Sequence, residues 1–293
     1  MPQTLSEIRD LLASAGLRPQ KKLGQNFLID GNLMTKIVDA AEIEPDDTVL
    51  EIGAGTGSLT EMLLERAGHV VAVELDRGLA ELLADRLAGH DNLTLLHEDV
   101  LQTKSRIAPV VLDALRHAAG GRPALLVANL PYHIASPILI DLLLCDVPFR
   151  CFCFSVQREV ADRIAAQPST KDYGPITILL QLCGTVHRIT HLPPQAFWPV
   201  PKVESTALRI DIDHSRFPDK TLLVQFSDLL RLAFSHRRKT LHYNLRRHYE
   251  PADFGPACTA TGIDPGIRAE ALSPEQWYEL FIQMRSVSQS KPP

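Results

Sequence analysis

The chain has 293 residues, 45% hydrophobic and 22% charged, a balance that excludes a disordered, collagen-like or coiled-coil protein. Thirty Lys and Arg stand against 35 Asp and Glu, for a net charge of −5. Taken whole, that charge argues against a sequence-independent binder of nucleic-acid phosphates, and the length favours two domains over one. The first thirty residues carry Arg9, Asp10, Arg18, Lys21 and Lys22 and no apolar leader, so no secretory signal is read there. No apolar run approaches the roughly 20 residues that span a bilayer. A cytoplasmic protein, monomeric and not membrane-bound, is expected.

The segment Thr48–Gly53 is a short apolar run that ends in glycines. An amphipathic stretch from Ser58 to about Ala67 follows, then an apolar run Val70–Val73 closed by Glu74-Leu75-Asp76. Leu79–Leu87 has helical spacing. Leu93–Leu96 closes at Glu98-Asp99, and Ala124–Ala128 at Asn129-Leu130-Pro131-Tyr132. Phe149–Val156 is a fifth strand, whose alternation puts Cys151 and Cys153 on one face and phenylalanines on the other. Five Cys with no C-x-x-C pair read as reduced, mostly buried thiols. Short apolar strands alternating with helices predict a parallel sheet covered on both faces. Ligands of such sheets bind at the carboxyl ends of the strands. Gly53, Glu74, Asp99 and Asn129 each fall at such an end, as one shared pocket requires.

The stretch His191–Lys202 holds four of the 21 prolines and cannot be helix or central strand. Val203–Asp213 alternates as a final strand. Leu222–Tyr249 and Pro274–Met284 read as helices, so the domains are expected at 1–213 and 214–293. Charge is unevenly spread. Arg231, Arg237, Arg238, Lys239, Arg246 and Arg247 lie between Arg231 and His248 with no acid among them. No salt-bridge support is expected for them, and Tyr243 and three His are interleaved. Arg18–Lys36 is a second basic stretch. A locally basic face on an acidic protein fits an anionic polymer.

Three alternating glycines in Glu51-Ile52-Gly53-Ala54-Gly55-Thr56-Gly57 let the backbone approach a ligand closely. The spacing is not the G-x-G-x-x-G of dinucleotide binders, although a nicotinamide dinucleotide stays open as an alternative. Glu74 suits the two hydroxyls of a ribose. With no basic residue in the turn, the ligand reads as an adenosine compound without phosphates. Asp99 can accept from an adenine amine, can cap a helix, or can yield that part to Glu98. The side-chain oxygen of Asn129 and the carbonyl of Leu130 can accept both hydrogens of an exocyclic amine. Pro131 stiffens that turn, and Tyr132 offers a face for stacking. Phe197 and Trp198, on the proline-rich stretch, can close the other face of a base or pack in the core. His187-x-x-x-His191 lacks the Glu of a zinc helix, so no metal is expected. Ser136 lacks a G-x-S-x-G setting, which leaves no hydrolytic nucleophile.

With these residues the chain resembles the ribosomal RNA adenine N6-dimethyltransferases, within them the enzymes of the small subunit. The resemblance is carried by Lys21–Leu28, Glu51–Gly57, Val73–Asp76, Asn129–Tyr132, Phe197–Ser205 and Ala233–Thr240, and covers residues 17–285. It implies a Rossmann-like, class I methyltransferase sheet with a small C-terminal all-helical domain. It implies S-adenosylmethionine as methyl donor and no metal. The donor would lie against Asn26, Leu28, Gly53, Gly55, Glu74, Asp99 and Asn129. The acceptors would be two adjacent adenosines of a hairpin loop near the 3′ end of 16S rRNA, each dimethylated during ribosome biogenesis. Asn129 and Leu130 would polarise N6, Pro131 would hold their turn, and Tyr132 and Phe197 would clamp the ring. Lys21, Lys22, Arg237, Arg238, Lys239, Arg246 and Arg247 would grip RNA. Ala128 and His133 depart from the frequent Gly and Asn. The rivals are a macrolide-resistance type of 23S rRNA adenine methyltransferase, a non-catalytic RNA-binding relative, and a methyltransferase of DNA or protein amides. The last would more usually carry Pro-Pro-Tyr in the turn.

Overall fold

The computed structural model describes residues 2–104, 106–217, 219–249 and 251–289. From the N-terminus the chain forms α1 (Leu5–Ser14), β1 (Phe27–Leu28), α2 (Gly31–Ala40), β2 (Thr48–Ile52), α3 (Ser58–Leu64), β3 (His69–Glu74), α4 (Arg77–Arg86) and β4 (Leu93–His97). The antiparallel pair β5 (Leu101–Thr103) and β6 (Arg106–Ile107) leads to α5 (Pro109–Ala119), β7 (Ala124–Asn129), α6 (Ala135–Leu144) and β8 (Phe149–Gln157). Then come α7 (Arg158–Ile164), α8 (Pro175–Cys183), β9 (Gly184–Leu192), β10 (Phe197–Trp198) and β11 (Ser205–Ile212). The remaining helices are α9 (Lys220–Ala233), α10 (Leu241–Leu245), α11 (Pro251–Thr261) and α12 (Pro274–Gln289).

The seven-stranded sheet has the order β4-β3-β2-β7-β8-β11-β9. Strands β4, β3, β2, β7 and β8 are parallel, and β11 runs antiparallel to β8. The parallel strands are mostly apolar because helices cover both faces: Val49, Leu50, Leu125, Leu126, Cys151, Phe152, Cys153 and Phe154 are all fully buried. From β2 the chain first builds outward through β3 and β4, then returns to the other side of β2 with β7. The order of strands reverses there, and a crevice opens at the carboxyl ends of β2 and β7. The glycine turn and the Asn129–Tyr132 turn are thereby set side by side.

Two compact units result, residues 1–161 with 186–212, and residues 162–185 with 213–293. The boundary expected at 213/214 thus misses one segment, since 162–185 belongs to the helical unit. Helix α8 is apolar on every side and buried from Ile176 to Cys183 except at Gln181, the pattern of a core helix. It packs on α9 and α12, and the Tyr173 hydroxyl before it donates to the Leu272 carbonyl at 2.7 Å.

The continuous helix expected over Leu222–Tyr249 is also broken. Helix α9 ends at Ala233, and a turn runs to Thr240, which caps α10 by accepting from the Tyr243 N–H at 3.2 Å. Thr240 also bridges to Arg268, so tertiary pairing overrides a basic run of good helix formers. Helix α11, with Pro256 inside it, was not foreseen.

Candidate functional site

The site is built at the reversal of the sheet. After β2 the backbone turns through Gly53, Gly55 and Gly57, with φ of 79°, 61° and 85°, which side chains disfavour. Gly57 is also closely packed: a Cβ there would meet Leu83 Cδ2 at 2.5 Å, so that side chain would have to shift. The Gly53 N–H donates to the Val73 carbonyl at 2.8 Å, which ties the turn to β3. Glu74, at the end of β3, completes the tie. Its carboxylate accepts from the Gly55 N–H at 2.7 Å and the Asp76 N–H at 2.8 Å. Burial raises the Glu74 pKa above the usual carboxylate value, and the two N–H donors hold its ionised form against that.

Asn129 ends β7 with both halves of its amide engaged. The Ser155 hydroxyl donates to Asn129 Oδ1, and Asn129 Nδ2 donates to the Asn26 carbonyl at 3.2 Å. The Leu130 N–H donates to the Ser155 carbonyl at 3.1 Å. These bonds fix the flip of the amide, so its oxygen keeps a defined direction with one lone pair left over. Tyr132 is half-buried, and its hydroxyl shares a 2.8 Å hydrogen bond with that of Ser205. Burial pushes the phenol pKa up, so it stays neutral. Asp99 makes a local turn, accepting from the Leu101 N–H at 2.9 Å, and Glu98 accepts from the Asp99 N–H at 3.1 Å.

One cavity joins these elements. Asn26, Leu28, Gly53, Gly55, Glu74, Asp99, Asn129, Leu130, Pro131 and Tyr132 all line it, with Glu98 as well. Phe197 does not line it. Its backbone pairs with Leu28 through β1 and β10, and its ring is buried in the core. Trp198 pairs with Phe27, stacks on its ring at 6.3 Å and carries the Arg9 guanidinium 5.4 Å above its own ring. Lys21 and Lys22 are exposed on a single helical turn before β1.

Several residues of the site escaped sequence reasoning. Gln20 and Gln25 both donate to Asp76 Oδ2, at 2.6 and 2.9 Å, and so tie the N-terminal segment to the start of α4. Gln3 donates to Ser58 Oγ and to the Thr56 carbonyl, bracing the glycine turn. Ser155 left a trace, as a polar residue that ends the Cys–Phe alternation of β8 and is fully buried. Glu51 left another, as an acid in the apolar strand β2.

The cavity wall suits S-adenosylmethionine. It carries the buried carboxyls of Glu51 and Glu74, and neither Lys nor Arg is among its lining residues. A diphosphate would find no cation there, whereas a sulfonium with an ammonium would find buried acid. Among the described residues, no cluster of three metal-ligating side chains occurs, and no helix is long and apolar enough to cross a membrane.

The exposed basic residues Arg237, Arg238, Lys239, Arg246 and Arg247 lie on the turn before α10 and just after it. Their expected isolation from acids is corrected. Arg237 pairs with Glu270 at 3.0 Å, and Arg231 with Asp228 at 3.2 Å. Glu270 comes from a segment distant in sequence and Asp228 from one turn earlier on α9, both outside the Arg231–His248 stretch. Lys239, Arg246 and Arg247 instead gather around the Tyr243 ring, 5.2, 4.9 and 5.9 Å from its centroid.

The sheet order and the glycine-turn cavity define a Rossmann-like methyltransferase. Residues 16–286 match the family described as Ribosomal RNA adenine dimethylase. The chain belongs to that family and is an rRNA adenine dimethyltransferase by membership. It is 38% identical to "Ribosomal RNA small subunit methyltransferase A" of Bacillus cytotoxicus, over 94% of each chain. Among solved structures, a dimethyladenosine transferase from Plasmodium falciparum superposes with a TM-score of 0.70 at 26% identity, over 88% of this chain and 97% of that one. The 23S rRNA methyltransferase ErmE gives 0.62 at 28% identity, over 89% and 100%.

Proposed function

We propose that this protein transfers methyl groups from S-adenosylmethionine to N6 of two adjacent adenosines in a hairpin loop near the 3′ end of 16S rRNA, dimethylating each as the small subunit matures. It acts in the cytoplasm as a monomer. The observation that carries this reading is the Asn129 amide, locked by Ser155 and Asn26 on the wall of the cavity that Glu74 and the glycine turn also line.

When bound, the donor supplies an activated methyl group on a sulfonium. The residues of the chain position and polarise. Glu74 accepts from the ribose hydroxyls, Asp99 from the adenine amine, and Asn26, Leu28, Gly53 and Gly55 shape the rest of the cradle. Asn129 Oδ1 and the Leu130 carbonyl accept the two hydrogens of the target amine, which frees its lone pair from the ring and aims it. Pro131 keeps that carbonyl outward. Tyr132, oriented by Ser205, stacks on the base once the base has left its helix. Phe197 contributes from the core by holding the strand pair that presents Leu28, and clamping a base would require it to move out. Lys21, Lys22, Arg237, Arg238, Lys239, Arg246 and Arg247 contact RNA phosphates.

The test is incubation with labelled S-adenosylmethionine and, separately, unmethylated small subunits, large subunits and DNA. Label on paired 16S adenosines is expected. Label confined to 23S RNA would favour the ErmE-like reading, and label confined to DNA would overturn both.

A further inference from the structure

We infer that Glu51 is the proton-exchanging partner of the methyl donor: it keeps its proton in the ligand-free protein, releases it to solvent when the cationic donor binds, and then stands as the buried counter-charge. This rests on S-adenosylmethionine being the donor. Glu51 is 1% exposed on β2, lines the donor cavity, and its Oε2 has no hydrogen-bond partner. The Thr60 hydroxyl beside it favours the ionised form, yet Thr60 Oγ1 also lacks a well-aligned partner. The second buried acid of the cavity, Glu74, differs in kind, because two backbone N–H groups already satisfy its carboxylate. Glu51 Oε2 has no such donor, so an incoming cation would repay the desolvation of its charge.

Burial, with a smaller push from the Glu74 charge, raises the Glu51 carboxyl to about 8. At pH 7 the acid is therefore mostly neutral. The other titratable groups on the cavity wall are Glu98, Asp99, Tyr132 and His133. A donor that carries a sulfonium and an ammonium brings net positive charge, which favours the carboxylate. Binding and proton release are then linked: COOH becomes COO⁻, and the proton passes to the buffer.

Calorimetric titration of the protein with S-adenosylmethionine at pH 7, in buffers of different ionisation enthalpy, reads the number of protons released. About one proton is expected, with a donor Kd that tightens about tenfold per pH unit between pH 6 and 7.5. In Glu51→Gln the heat should become independent of buffer and the pH dependence should flatten. His133→Asn should retain both. The carboxyl ¹³C resonance of Glu51 in the wild type gives a reading that needs no variant, moving from the protonated to the ionised range on saturation. A wild-type heat that does not vary with buffer overturns the inference. So does a proton release that survives Glu51→Gln or disappears in His133→Asn. A folded wild type that binds no donor would instead overturn the donor reading, and this inference with it.

Discussion

The donor cavity and the basic region around α10 both bear charge, but they manage it in opposite ways. In the cavity the polar groups are few and individually fixed: Glu74 is buried and held by two N–H donors, and the neutral Asn129 and Tyr132 are held by Ser155 with Asn26 and by Ser205. Around α10 the charges are many and exposed, and three of them share one tyrosine ring. Buried groups act through geometry, and each is worth several kcal/mol when removed. Exposed cations act through number, and each is worth little and is screened by salt. The first arrangement suits a reacting centre. The second suits a polymer that must be gripped and let go.

Substitutions can break that contrast. The largest loss is expected for Asn129→Ala, about 10²–10³-fold in kcat, with donor affinity measured by calorimetry still in range. Full activity in this variant would remove Asn129 from the chemistry. Glu74→Ala should raise the donor Kd about 100-fold, because it strands two N–H groups and loses the ribose contact. Glu51→Gln tests the cost of burying an acid. The folded carboxyl titrates near 8, above its unfolded value, so the native state binds the extra proton. Wild-type stability from this group is therefore lost as pH rises from about 4.5 to 8. Thermal melts at pH 5 and 8 should show a smaller fall for Glu51→Gln than for wild type. The smallest effects belong to Lys239→Ala, Arg246→Ala and Arg247→Ala. Each should weaken RNA binding by about two- to fivefold and reduce the slope of log K against log salt by about one. A single one of these that abolished binding would refute the contrast.

Much of this was legible in the sequence. The parallel strands were readable because burial on both faces makes them continuous apolar runs, and their polar ends marked the crevice. That rule alone placed Gly53, Glu74, Asp99 and Asn129 at one crevice, and all four line one cavity. Asn26 and Leu28 came only through the family resemblance, since β1 is two residues long and no local pattern marks it. Phe197 looked like a loop aromatic, but pairing with β1 draws it into the core. Ser155 and Ser205 act through another side chain, so their parts became visible only once the strands were aligned. The α10 region misled because charge counting ignores partners distant in sequence: Glu270, which pairs with Arg237, is 33 positions away.

The pairing of β1 with β10 also dictates when the cavity can exist. Phe27 meets Trp198 across about 170 intervening residues, and Leu28, which lines the cavity, belongs to the same pair. A nascent chain emerging from a ribosome has therefore made the glycine turn, Glu74 and Asn129 long before this wall of the cavity can be fastened. That wall is fastened late in synthesis, after β2, β3, β7 and β8 have been made, and a chain cut short before Phe197 would carry the glycine turn, Glu74 and Asn129 with the Leu28 side untethered and Tyr132 without its Ser205 partner.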